Sequence, residues 1–352
     1  MSTPLPKLSY VLLSHNREKY IRAAIESAFA QDYEGELEYI FSDDCSTDRT
    51  FEIIKECVAE YKGNRRVVVT QTPENLHLAG NTNHAVQFVE SDWVIRADDD
   101  DLSHTNRCSL IGKAIQDNPG CRYIFAQLRS FTDEEEESII REKGKQISFI
   151  PDYIVYPSGD GVKDSVQAFA QKTCLHQAWH ADIYRIFGPL HPQGYYVDDV
   201  MSHYRAMMLG FGVYIPCTLA YIRTASNNMS RGGDMGDRGY AGIMKLERFH
   251  DKYYNIVLIP LESTLKQLSD YSDVNHLASI FVHVSKHLGM FLEEHRLMSE
   301  FWKKGPLYRY LITKKLHKIS LFSILRCLPM PAFAFILSII RRIKALPPKS
   351  HE

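Results

Sequence analysis

Four consecutive aspartates, Asp98 to Asp101, follow a short apolar run in WVIRADDDDLSHTNR, residues 93–107. Like charges a few ångströms apart repel, so such a run sits in water as a solvated loop, takes up protons, or binds a cation through its hard oxygens. Two more polar clusters have the composition of ligand sites: SHNR, Ser14 to Arg17, and SDDCSTD, Ser42 to Asp48. A further acidic pair, Asp198 and Asp199, stands in YVDDVMSHYR.

The elements around these clusters decide whether they can meet. LSYVLLS (8–14), LEYIFS (37–42), RRVVVTQ (65–71) and DWVIRA (92–97) read as strands, three of them near-continuous in apolar residues. Helical spacing follows each one, over residues 18–31, from Ser46 or Thr47 as cap to about 61, over 79–90, and near 106–116. An alternating βα pattern of this kind predicts an α/β fold, a mostly parallel sheet covered on both faces. Such sheets bind ligands beyond the carboxyl ends of their strands, where all three clusters in the first hundred residues fall. The run TDEEEESIIREKGK after the next strand is expected to be a solvated loop or a charged helix start without chemistry. Asp198 and Asp199 fall near the first turn of a helix, DVMSHYRAMMLG, where capping alone accounts for one of them.

Composition narrows the class. The chain has 352 residues, 45% of them hydrophobic, and can bury a substantial core. Its seven cysteines are scattered without a CxxC pair, which suits reduced thiols in a cytoplasmic setting. The apolar run near the N-terminus is too short for a signal-peptide core. The net charge of −2 hides an asymmetry: residues 301–352 carry eleven Lys or Arg against Glu352 alone, hence +10, which leaves −12 for residues 1–300. The apolar stretch at 321–340 is broken by Arg326, Pro329 and Pro331, so the tail is expected to lie along an anionic membrane surface through residues 301–349 rather than to span it. A packed homo-oligomerisation element is the alternative, and a nucleic acid partner is not expected. Residues 236–300 read as a helical extension without a catalytic motif.

With strands and clusters in place, the first 230 residues resemble the family 2 glycosyltransferases of GT-A fold. SYVLLSHNREKYIRAAIESAFAQDY is similar to that family's opening strand and helix, IFSDDCSTDRT to its Asp-Asp-x-Ser-x-Asp signature, and ENLHLAGNTNHAV to its segment over the donor, with His77 in place of the usual Gly. DDDD resembles the Asp-x-Asp-Asp element, YVDDVMSHYR the later acidic motif, and AYIRTASNNMS the Tyr-Arg-x-His loop, with Thr224 and Ala225 where a His is frequent.

The resemblance implies a GT-A domain over residues 1–235, with a nucleotide-sugar half to about 128 and an acceptor half over 129–235. It implies a nucleotide-sugar donor, first of all a UDP-sugar, held by Ser14, His15, Asn16, Arg17, Asp43, Asp44, Asn81, Asp98, Asp99 and Asp100. Asp44 would contact uracil, and Asp98 and Asp100 would hold Mn²⁺ or Mg²⁺. Asp199 would be the base that takes the proton of an acceptor hydroxyl on a saccharide or lipid-linked acceptor, with inversion at the sugar. Asp198 either caps the helix or raises the pKa of Asp199. On the acceptor side stand His176, Trp179 and Arg223, yet a lone His is often a satisfied structural residue and Trp179 equally fits the core. A non-catalytic sugar-nucleotide or glycan-binding protein is the rival reading. A dinucleotide-dependent enzyme lacks its GxGxxG after the first strand, and a nucleotidyltransferase lacks an NTP-binding loop.

Overall fold

The computed structural model describes residues 4–148, 152–156, 176–190, 202–203, 205–206 and 209–224. The expectations for Asp198, Asp199 and everything from 225 onward, including the extension and the basic tail, lie outside these residues. Among the described residues, no helix is long and apolar enough to cross a membrane.

Four strands expected from apolar runs form one parallel block: β1 (Leu8–Ser14), β2 (Leu37–Asp43), β3 (Val67–Gln71) and β4 (Trp93–Asp98), in the order β3-β2-β1-β4. All seven residues of β1 and of β2 are buried, as a strand covered on both faces requires. Helix α1 (Ile21–Phe29) turns Ile21, Ala24, Ile25 and Ala28 into the core, and α2 (Thr50–Glu60) adds Ile54 and Cys57.

Helix starts shift from the sequence expectation for one reason, competition from loop side chains. The N–H groups of Arg17 and Glu18 donate to Thr50 Oγ1 and Asp48 Oδ2, so α1 begins after them. Neither Ser46 nor Thr47 caps α2: Ser46 turns back to Asp43, the Thr47 N–H donates to Asn16 Oδ1, and Asp48 accepts from the Thr50 N–H at the helix start. Helix α3 (His77–Ala85) ends in a 3-10 turn over Val86–Phe88, short of the expected 90.

Beyond β4 the sheet becomes mixed. Its full order is β3-β2-β1-β4-β8-β6-β9-β5, with β7 (Ile154–Tyr156) also on β9. The long strands β6 (Cys121–Phe131) and β9 (Phe211–Arg223) run parallel, while β8 (Ala178–His180) inserts antiparallel between β4 and β6, and β5 (Leu102–Ser103) pairs antiparallel with β9. Helix α4 (Arg107–Asp117) lies between β5 and β6 in sequence, and a short α6 (Asp182–Arg185) follows β8. The acidic run after β6 is not simply solvated. A capping box between Thr132 and Glu135 starts a 3-10 turn, α5 (Glu136–Lys143) follows, Ile139 is buried, and two of the acids bind Arg223.

Candidate active site

Strand register brings the polar clusters together. Ser14 pairs with Asp43, Asp43 with Gln71, and Leu13 with Asp98, so the loops after β1, β2, β3 and β4 leave the sheet along one edge. Asn16, Cys45, His77 and His176 have φ between 53° and 59°, and they are the non-glycine residues with positive φ among those described. All four stand on this edge, where backbone strain commonly marks function. The φ of 59° at His77 explains why a glycine suits that position.

His15 ties the loops to one another. Its ring Nε2 accepts from the side-chain amides of Asn16 (3.1 Å) and Asn75 (3.0 Å), which leaves the proton on Nδ1 to donate to the Asp44 carbonyl at 2.8 Å. Its backbone N–H donates to Asp99 Oδ2 at 2.8 Å, linking this cluster to the acidic turn. Asp43 is fully buried and saturated within the protein, by Ser46, Gln71 and more distantly Ser14. Asp44 differs: its Oδ1 accepts from the Leu76 N–H and Thr72 Oγ1, and among the described residues nothing donates to Oδ2. An anchored carboxylate with one open oxygen can accept an N–H from a nucleobase.

The four aspartates of the opening run have four different environments. Asp98 lies two residues beyond Arg96 on the same face of β4, and the Arg96 Nη1 stands 2.7 Å from its Oδ2. Burial alone would push the Asp98 carboxyl up, but Arg96 and then His176 hold it below the usual carboxylate range. Burial and the neighbouring Asp100 push Asp99 well up, against Arg17. Asp100 is pushed up to about 7, by burial and then by Asp101 and Asp98. Asp101 is raised by burial and Asp98. Burial first, and then the neighbouring carboxylates, thus raise Asp99, Asp100 and Asp101, and a bound dication would favour their ionised forms.

Asp101 was not singled out in sequence, and neither were Arg96 and Arg107. Its two oxygens accept from the Arg223 N–H (2.7 Å) and His176 Nε2 (2.7 Å). The His176 tautomer follows from Arg107, which carries no acceptor and stands 3.3 Å from Nδ1, so Nε2 holds the proton. Burial and Arg107 push the His176 ring down to about 3, so it is neutral near pH 7. The ligand atoms of Asp98, Asp101 and His176 lie within 4.8 Å of one another, but with its proton on Nε2 the His176 ring offers no lone pair there, so a cation would fall to the carboxylate oxygens. No hydrogen bond among the described residues reaches Asp98 Oδ1 or either carboxyl oxygen of Asp100, so hard oxygen donors are open on the residues expected to ligate. Donor chemistry and charge thus fit Mn²⁺ or Mg²⁺.

Of the remaining expected residues, Asn81 and Trp179 sit apart from this cluster, whereas Arg223 lies directly beneath it. Asn81 is buried beneath the end of β2, where its Nδ2 donates to the Ser42 carbonyl and its Oδ1 accepts from Ser42 Oγ. Trp179 is in the core, paired across from Val94 and Tyr123. Arg223 is fully buried under the acidic turn, with Nε on the Asp100 carbonyl and its fork on Asp133 and Glu136. The pairing of Arg96 with Asp98 was readable from their i, i+2 spacing; Arg107 and His176 reach the turn only through tertiary packing.

Comparison with known proteins agrees with this geometry. Residues 9–157 match the family model described as Glycosyl transferase family 2. EpsE of Bacillus subtilis is 36% identical over 102 residues, 29% of this chain and 36% of EpsE. The poly(ribitol-phosphate) beta-N-acetylglucosaminyltransferase TarS of Staphylococcus aureus is 33% identical over 154 residues, 43% of this chain and 26% of TarS. The matched part thus spans about a third of the first relative and about a quarter of the second. The crystal structure of S. aureus TarS 1–349 in complex with UDP-GlcNAc superposes with a TM-score of 0.56 at 14% identity, covering 96% of this chain and 92% of that one. The fold is therefore the GT-A fold.

Proposed function

From the premise that this chain, through residues 9–157, belongs to glycosyl transferase family 2, we propose that it transfers a sugar from a nucleotide-sugar to an acceptor hydroxyl. The observation that carries this reading is the aspartate run, whose Asp100 carboxyl is raised by burial and by its acidic neighbours, set one loop away from an Asp44 carboxylate with a single open oxygen among the described residues. UDP-sugars are the first choice of donor, supported by the TarS complex with UDP-GlcNAc. The acceptor is a saccharide or a lipid-linked saccharide.

Asp44 accepts the N–H of the base, and the His15, Asn16 and Asn75 side chains fix the loop around it. Asp98 and Asp100 would hold Mn²⁺ or Mg²⁺, whose charge would offset that of the diphosphate leaving group. Asp199 takes the acceptor's proton as the hydroxyl attacks the anomeric carbon, giving inversion by single displacement; general-base help of this kind contributes about 10²–10⁴-fold. The basic segment 301–349 docks on anionic membrane, which flotation with anionic liposomes of the full chain against a 1–300 truncation tests.

The deciding experiment measures nucleoside diphosphate release from UDP-, GDP- and dTDP-sugars with Mn²⁺ or Mg²⁺, for wild type, Asp100→Ala and Asp199→Asn. Turnover of one donor, abolished by both substitutions, is expected. No turnover combined with metal-dependent thermal stabilisation by one nucleotide, with a range of saccharide acceptors supplied, would instead identify a binding protein.

A further inference from the structure

Three arginines serve the aspartate run, and they do so differently. Arg96 meets Asp98 at 2.7 Å, and Arg223 meets four acceptors of the turn and its buttress at 2.7–2.9 Å. Arg17 makes no such contact. Its Nε stands 3.5 Å from Asp100 Oδ2 and 3.7 Å from Asp99 Oδ1, outside hydrogen-bond range, and this buried Nε has no hydrogen-bond partner among the described residues. Among the described residues its side chain makes one hydrogen bond, from Nη1 to the neighbouring Asn16 carbonyl at 3.2 Å.

The backbone beneath it is fixed. The Arg17 N–H donates to Thr50 Oγ1 at 2.7 Å, and Asn16 is held from both sides by Ser46 and Thr47. The long side chain beyond this anchored backbone is 18% exposed and is tethered through Nη1 alone among the described residues. Arg17 therefore acts here as a point charge opposite two carboxylates, one of which is an expected metal ligand. A planar fork in this role leaves its bidentate capacity unused, although a diphosphate is a partner for which that geometry is suited.

We propose that Arg17 is the resident counter-ion of the acidic turn in the donor-free protein, opposing divalent-cation binding there, and that it turns to the diphosphate when nucleotide and cation arrive together. The inference rests on the nucleotide-sugar reading above. A dication at Asp100 stands close to the guanidinium and is repelled by it, whereas a diphosphate supplies negative charge that both can share. Cation and nucleotide consequently bind with positive coupling, and by linkage each strengthens the other by the same factor. The arrangement keeps the acidic turn from holding a metal without its substrate.

The test measures Mn²⁺ affinity of the full chain by the electron paramagnetic resonance signal of free Mn²⁺, with and without UDP or GDP, for wild type, Arg17→Gln and Arg17→Lys. Arg17→Gln is expected to bind Mn²⁺ alone at least about tenfold more tightly than wild type, and to lose at least about tenfold of the enhancement by nucleotide. Arg17→Lys keeps the charge and is expected to retain weak binding of Mn²⁺ alone. Unchanged or weaker Mn²⁺ affinity in a folded Arg17→Gln protein, checked by its thermal melt, overturns the proposal, as does unchanged coupling. Absence of Mn²⁺ binding in wild type with either nucleotide also overturns it. Diphosphate release by wild type, measured in parallel, reports separately on the transferase reading.

Discussion

Replacing Arg223 with Met tests whether the acidic run after β6 is a buttress of the site. The substitution keeps most of the side-chain volume, and with it the packing against the Tyr20 and Phe131 rings, whose centroids lie 4.5 and 4.6 Å from the guanidinium carbon. It deletes the bonds to Asp133 Oδ1 (2.7 Å), Glu136 Oε1 (2.8 Å) and the Asp100 carbonyl (2.9 Å). Removing one partner of a fully buried ion pair costs about 3–5 kcal/mol. Here Arg223 is fully buried but Asp133 and Glu136 are 37% and 30% exposed, so water answers part of the lost pairing. A loss of about 2–4 kcal/mol follows, read as a fall in Tm of roughly 5–15 °C for a domain of this size. Urea unfolding of wild type and Arg223→Met gives the difference, and proteins carrying Asp133→Asn with Glu136→Gln, without and with Arg223→Met, complete the cycle. The triple variant should recover part of the loss, because Glu136 no longer stands as an unanswered carboxylate, whereas Asp133 keeps Lys19 and Tyr20 in the Met variant and contributes less to the recovery. A Met variant within about 0.5 kcal/mol of wild type, or a triple variant no more stable than Met alone, refutes the buttress.

Asp133 gives a pH prediction. Hydrogen bonds from Lys19 and then Arg223 hold its carboxyl down at about 2, so its contribution is fully present above the ordinary value of about 4 and is lost as pH falls through about 2. Asp133→Asn should lose less stability than wild type between pH 4 and pH 2, and equal losses in an acid titration followed by circular dichroism would contradict this. Asn81→Ala should cost about 1–3 kcal/mol in urea unfolding, because it removes the acceptor of Ser42 Oγ and one of the donors to the Ser42 carbonyl, which keeps only the more distant Ser14 Oγ among side chains; a neutral result would return Asn81 to the donor-contact reading. Gly112→Ala puts a Cβ 2.6 Å from Cε2 of the buried Tyr33 ring and should cost about 1–3 kcal/mol, whereas an unchanged midpoint would mean the ring has room to move.

The sequence by itself determined the first four strands, their helices and the edge on which Ser14 to Arg17, Asp43, Asp44 and Asp98 to Asp101 gather. Apolar period and run length are local properties, and a parallel block places every βα loop on the same side. The tertiary structure alone decided the rest. Strands of two or three residues, β5, β7 and β8, carry no period of their own and exist through pairing with β4, β6 and β9. It also separated four aspartates that look alike in sequence: Arg96 answers Asp98, His176 and the Arg223 N–H satisfy Asp101, Asp99 takes the His15 N–H, and Asp100 is left to the loosely placed Arg17. Beyond the local Arg96–Asp98 pair, compensation of the run depends on contacts across 75 to 122 residues of chain, and no local pattern encodes those distances.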